Sequence, residues 1–305
     1  RASSRGSAAT NNLSYSFSLQ LFRVTNSNIH NNRVINWISD KDKKEGLTWG
    51  IQLIGVENCN IYRNEVETSY KSDEFGPGVA YGVAMTQGSG PGDCLVCENI
   101  SNNYFTVDGT GIEHLYPRSN GWNVVVFNNS AIFTENTATQ NVVAFESLTE
   151  RVNYFGNYIN NAKGGGFLQW FWKEGSGVTG QGSYIHHNVF TDTIGIKDAL
   201  GINFSVRGSN TKGFYLYNNT FDRLKTGINF LGAGSNEVVE NIEIQNNIFM
   251  NCDNAIYMTS DPKNFKNLKV ISNNDFSSTN RVANNPAGFS SIAQQVDWTN
   301  TDPGL

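Results

Sequence analysis

A short alternation of apolar and polar positions returns along the whole chain: an apolar residue, two fillers, Asn, one unrestricted residue and a second apolar residue. It is read around Asn32, Asn64, Asn103, Asn136, Asn157, Asn188, Asn219, Asn247 and Asn274. Three residues before these landmarks stand Ile29, Ile61, Ile100, Phe133, Tyr154, Ile185, Leu216, Ile244 and Ile271. Two residues after them stand Val34, Val66, Phe105, Ala138, Ile159, Phe190, Phe221, Phe249 and Phe276. Two fixed apolar columns beside one free column mark a repeat protein. The landmarks lie 21 to 39 residues apart, and the shortest step holds three short strands with their turns but not a helix pair. Within each step apolar and polar residues alternate over four to seven positions, as half-buried strands require. The pattern predicts an all-β fold: a single-stranded right-handed parallel β-helix of about nine coils with three short strands per coil, its hand following the chirality of parallel crossovers.

A second set of segments supplies the third strand of each coil: Gly50–Leu53, Gly82–Met85, Gly111–His114, Val142–Phe145, Gly166–Gln169, Gly201–Phe204, Gly227–Phe230 and Ala255–Met258. With period two, the second and fourth residues of each face inward and the third faces out. Asn tolerates the left-handed backbone, so the landmark Asn is expected at a corner, where its side chains stack into a ladder.

The repeat spans residues 13–276, with a loose polar segment at 1–12 and an irregular tail at 277–305 able to act as a cap. Nothing before Leu13 reads as a cap for the first coil, which leaves an open sheet edge. A net charge of -5 and a pI near 5.4 provide no basic stripe, so nucleic acid is not an expected partner. No apolar run is long enough to span a membrane.

Loop lengths locate function. The first two coils carry long insertions before the third strand, at Asp40–Glu45 and Lys71–Pro77. On the strand's other side lie Gln87–Asp93, Tyr116–Trp122, Trp172–Gly182 and Arg207–Gly213, which are rich in Gly and unequal in length. Long loops along both flanks of one sheet make a groove. The outward row of that sheet reads Gln52, Ala84, Glu113, Ala144, Leu168, Asn203, Asn229 and Tyr257, and the next row includes Glu146 and Trp170. Glu113 and Glu146 are then about 8 Å apart at Cα, which suits an acid–base pair of the inverting glycosidase kind. Trp170 offers a ring for the apolar face of a sugar, and Trp172, Lys173, Arg207, Tyr116 and Asn203 complete the expected substrate contacts. Of the cysteines, Cys59 lies near Cys97 or Cys94 in the stack, and either pair could close a disulfide in an oxidising compartment. A lone Cys94-x-x-Cys97 and four histidines without metal spacing assign no metal site. His30, His186 and His187 lie beside Asn corners, where ladder or solvent contacts are expected.

From Leu13 to Phe276 this organisation resembles the pectate-lyase-like right-handed β-helix superfamily, in particular its Asn-rich repeats of the periplasmic copper-binding-like or the carbohydrate-binding and sugar-hydrolysis kind. The resemblance implies a secreted or cell-surface protein acting on polysaccharide, as a glycoside hydrolase or a polysaccharide lyase. The stretch from Glu146 to Trp170 is similar to the catalytic region of alginate and dermatan lyases, but it has no Lys after Glu146 and reads Gln169-Trp170-Phe171 where that family has Arg. Hydrolysis is therefore the expected chemistry. No cofactor is expected, calcium being the one ion that an anionic substrate would call for. Other relatives imply a non-catalytic adhesin or a fibre subunit that assembles as a homo-oligomer or end to end.

Overall fold

The computed structural model describes residues 4–5, 13–39, 45–54, 59–71, 79–86, 97–101, 104–107, 109–114, 123–132, 143–147, 152–172, 183–195, 198–207, 211–231, 239–258, 265–270, 274 and 281–284. These residues form strands and no helix, gathered into three sheets of eleven, eight and nine strands. Each sheet pairs strands that lie far apart in sequence. Pairing is parallel throughout, apart from Ser4–Arg5, which runs antiparallel along Leu13–Phe22. The chain is an all-β parallel solenoid. One parallel strand, Arg281–Asn284, follows the last Asn landmark and pairs with Asn254–Met258.

The apolar columns run in register up the interior. Ile29 pairs with Ile61, Ile61 with Ile100, Tyr154 with Ile185, Ile185 with Leu216 and Leu216 with Ile244. Phe190, Phe221 and Phe249 stack with centroids 5.2 and 4.7 Å apart and are fully enclosed. A fully buried ring of this size contributes about 1.5–3 kcal/mol relative to exposure. Gly166, Gly201 and Gly227 let these rings approach the backbone: a Cβ on Gly227 would stand 2.6 Å from the Phe249 ring. That contact, rather than an unusual backbone angle, is why this column holds small residues.

The Asn ladder is present, with a change of member. Asn157, Asn188, Asn219 and Asn247 each donate from the backbone N–H and from Nδ2 to Oδ1 of the next landmark, at 2.9–3.2 Å, ending on Asn274. Below Asn157 the donor is Asn129, not Asn136. Val126 occupies the apolar column between Ile100 and Tyr154, and Ala131 the column between Phe105 and Ile159, so the expected Phe133 and Ala138 are displaced by an earlier copy of the phrase. Asn129 lies 28 residues before Asn157, a full circuit, whereas the 21-residue step from Asn136 is too short to bring the strands back into register. Residues 133–142 lie outside the described set. So does Ile271, and Val270 is the register partner of Ile244.

The left-handed corner also moves by one residue. Asn31, Arg63, Asn128, Gly156, His187, Asn218 and Asn246, each immediately before a landmark, carry φ between 51 and 65°. The landmark Asn is the buried bracket beside the turn: Nδ2 of Asn64, Asn188, Asn219, Asn247 and Asn274 also donates to a main-chain carbonyl of the layer below.

Candidate functional site

The outward row of the eleven-stranded sheet is set by strand register. Gly109–His114 lies against Val143–Ser147, and Glu113 is the register partner of Glu146. The row continues from Ala84 through Glu113 and Glu146 to Leu168, Asn203, Asn229 and Tyr257. This corrects the expected alignment, in which Ala144 stood beside Glu113 and Glu146 lay one row further with Trp170. Phe145 pairs with Ile112 and Phe167, which puts Ala144 in the small-residue column with Gly111 and Gly166 and brings Glu146 into the row of Glu113. Lateral partners on adjacent parallel strands sit about 4.8 Å apart at Cα rather than about 8 Å.

Trp170 lies two residues beyond that row, in register with Ser205, and Trp172 is in register with Arg207. Strand pairing therefore brings Trp172 and Arg207 together as neighbours at the end of the sheet. Lys173 and Tyr116 lie outside the described residues, as do the segments 40–44, 72–78, 87–93, 116–122, 173–182 and 208–210 expected to form the walls.

Asn203 is committed within the sheet. It is 6% exposed, donates from Nδ2 to the Gly164 carbonyl at 3.0 Å and accepts Nδ2 of Asn229 at 3.1 Å. Leu168 and Asn229, on either side of it, are as deeply covered. At the other end of the row Gln20 donates to Gln52 at 2.7 Å. At these two places polar residues of the row serve one another from strand to strand.

The outward face of the nine-stranded sheet carries an aromatic file that the landmark columns did not single out. Phe127, Phe155, His186 and Tyr217 stack with centroids 4.7–5.1 Å apart and planes within 7° of parallel. Tyr184 and Tyr215 form a second, adjacent stack. The signal was present: these four rings occupy the position two before each landmark, once Asn129 replaces Asn136 in the fourth. Beside another corner, Asp198 meets Lys225 at 2.6 Å and Lys163 at 3.6 Å. The hydrogen bond from Lys225, aided by the charge of both lysines, holds the Asp198 carboxyl below its ordinary range.

Cys59 is buried, with Sγ 3.7 Å from the Val24 carbonyl. Its expected partners fall outside what is described, Cys94 entirely and Cys97 beyond its backbone. Among the described residues no three His, Cys, Asp or Glu side chains converge as a metal cage.

No protein-family model and no curated protein matches the chain by sequence. In structure it is similar to a double mutant of the tailspike protein of E. coli bacteriophage HK620, at 13% identity and a TM-score of 0.52, over 89% of this chain and 55% of that one. It spans about half the length of that tailspike. A second mutant of the same tailspike, in complex with a pentasaccharide, aligns at 15% identity and a TM-score of 0.44, over 86% of this chain and 56% of that one. A double mutant of the periplasmic alginate epimerase AlgG aligns at 11% identity and a TM-score of 0.39, over 92% and 77%. The chain shares with the first of these the fold that its Asn-rich repeats implied, the right-handed parallel β-helix.

Proposed function

We propose that this protein acts on a polysaccharide, outside the cell or at its surface, along the outward face of the eleven-stranded sheet, and that the reaction is hydrolysis. The observation that carries the reading is the register pair Glu113–Glu146. Where two carboxyl groups lie close together their ionised forms repel, and one of them keeps its proton to higher pH. That division of labour is what a general acid and its carboxylate partner need. Carboxyl groups about 5–5.5 Å apart belong to retaining glycosidases and those about 6.5–9.5 Å apart to inverting ones. The lateral spacing favours the retaining arrangement, with one glutamate as nucleophile and the other as acid and base. Trp170, one row on, is the sugar platform, and Trp172 with Arg207 extends the path along the strand. Lys173 and Tyr116 contribute from the loops. On this reading residues 13–276 make about nine coils of three short strands, the last of them without a described strand in the eight-stranded sheet, flanked by the segment 1–12 and the tail 277–305.

A glycan array followed by product analysis identifies the substrate. On it, Glu113→Gln and Glu146→Gln should each retain binding and lose at least a hundredfold in kcat, because the amide keeps the shape but moves no proton. Trp170→Ala should abolish most binding. Products should keep the anomeric configuration of the substrate by NMR. Unchanged turnover in both Gln variants removes the acid pair. Chains that bind no glycan but polymerise end to end establish the adhesin or fibre reading instead.

A further inference from the structure

One column of the nine-stranded sheet carries rings on both sides of a single gap. Its outward position, two before each landmark, reads His30, Tyr62, Ser101, Phe127, Phe155, His186 and Tyr217 on successive layers joined in register. Above the gap the rings stack from Phe127 to Tyr217. Below it His30 stacks on Tyr62, with centroids 4.8 Å apart and planes 11° from parallel. Between them stands Ser101, a residue type with no ring.

The interruption has the dimensions of one plate. Lateral partners on parallel strands lie about 4.8 Å apart, so the positions of Tyr62 and Phe127, two layers apart, are separated by about 9.6 Å. A flat ring seated midway would stand about 4.8 Å from each. That is the spacing at which the rings of the file stack on one another, and it lies in the range that aromatic pairs prefer. Tyr62 and Phe127 are both half-buried. Among the described residues Tyr62 stacks on His30 and Phe127 on Phe155, each on the side away from Ser101.

The rim supplies a charge. In two other layers the corner residue turns toward the file: Asn31 Nδ2 stands 2.9 Å from His30 Nδ1, and His187 Nδ1 stands 2.8 Å from His186 Nδ1. The corner beside Tyr62 holds Arg63, in the same left-handed conformation with φ 54°. Arg63 is exposed and has no ion-pair partner among the described residues.

We propose that the layer of Ser101 is a binding slot for a planar aromatic ring that bears a carboxylate. The ring sits face to face between Tyr62 and Phe127 and completes the file, covering an aromatic face on either side. Arg63, at the corner, pairs with the acid by charge-assisted hydrogen bonds. A puckered sugar ring is thicker than one flat plate, so the slot differs in kind from the saccharide path proposed on the eleven-stranded sheet, and it is independent of that path.

The test titrates the full chain with 2-naphthoate and follows the proton NMR spectrum. The ligand's ring protons should shift upfield, because they lie over two aromatic faces, and saturation should pass to them from the protein. Ser101→Phe fills the slot with the chain's own ring; it should weaken 2-naphthoate at least tenfold and raise the melting temperature. Tyr62→Leu and Phe127→Leu each remove one wall and should weaken it at least threefold with an unchanged circular dichroism spectrum. Arg63→Gln should weaken 2-naphthoate and leave the neutral 2-naphthamide unchanged. No binding by the unaltered chain overturns the slot, as does an affinity that a folded Ser101→Phe leaves unchanged. Should that variant not fold, unchanged affinity in both leucine variants overturns it equally. An Arg63→Gln effect that is absent or equal for the two ligands overturns the carboxylate.

Discussion

Cys252 shows what enclosure does to a single group. Its Sγ sits 3.3 Å from the Met250 carbonyl and 3.6 Å from the Phe221 carbonyl, and loss of solvent pushes the thiol up to about 12. Thiolate is the reactive form, so Cys252 should stay unlabelled by a thiol reagent at about pH 8 until denaturant is added; mass spectrometry of the labelled peptide checks this. Asp198 shows the opposite case. Its lowered carboxyl favours the folded state above the ordinary carboxylate range, and that contribution is lost as the pH falls through the folded value. Removing the main cause with Lys225→Met should move the Asp198 midpoint, followed by carbon NMR, back up toward 3.8. Because the pair is exposed, the change in melting temperature should be small.

At the scale of the element, strand and corner are separate decisions, and they were not equally legible. The inward columns could be read from residue type alone, because a period of two leaves little choice once one face is apolar. Ile244, with its register partners Leu216 below and Val270 above, is fully enclosed, and Ile244→Ala should cost about 2–5 kcal/mol in a urea unfolding curve by leaving a cavity. Asn219→Ala should cost about 1–3 kcal/mol for each buried polar group it strands, since Asn188 then loses the acceptor for both its main-chain N–H and its side chain. The fourth landmark was misread because Phe133–Ala138 and Val126–Ala131 satisfy the same pattern of residue types. What separates them is the circuit length, enforced by hydrogen bonds between layers that no local pattern contains. A separate slip, of two residues, misplaced Ala144, although the demand for a small side chain against a buried ring could have fixed it. The left-handed residue escaped notice for a related reason: Arg63 is a poor candidate by propensity, so the column does not read as a single residue type.

For the molecule as a whole, stability is a sum over layers, each resting on the one below it. Glu113 and Glu146 lie on one sheet, as the third-strand segments implied. Their register was not legible, because it depends on the alignment of Gly109–His114 with Val143–Ser147, strands separated in the chain by one strand of each other sheet. The rings of the aromatic file could be read two positions before each landmark, but their meaning lies in what sits one layer away, some thirty residues distant in the chain.

The amide ladder has a direction. From Asn129 to Asn274 every link runs the same way, N–H on the earlier layer and oxygen on the later one. The solenoid is thus polar in the manner of a bar magnet, and its two ends present unlike chemistry. A two-fold contact between identical ends would set oxygen against oxygen or hydrogen against hydrogen along this file, whereas the sheet edges offer N–H and C=O alternately and accept an antiparallel partner, as Leu13–Phe22 accepts Ser4–Arg5. An assembly that continued the amide file would therefore be head to tail, a contact that repeats without closing.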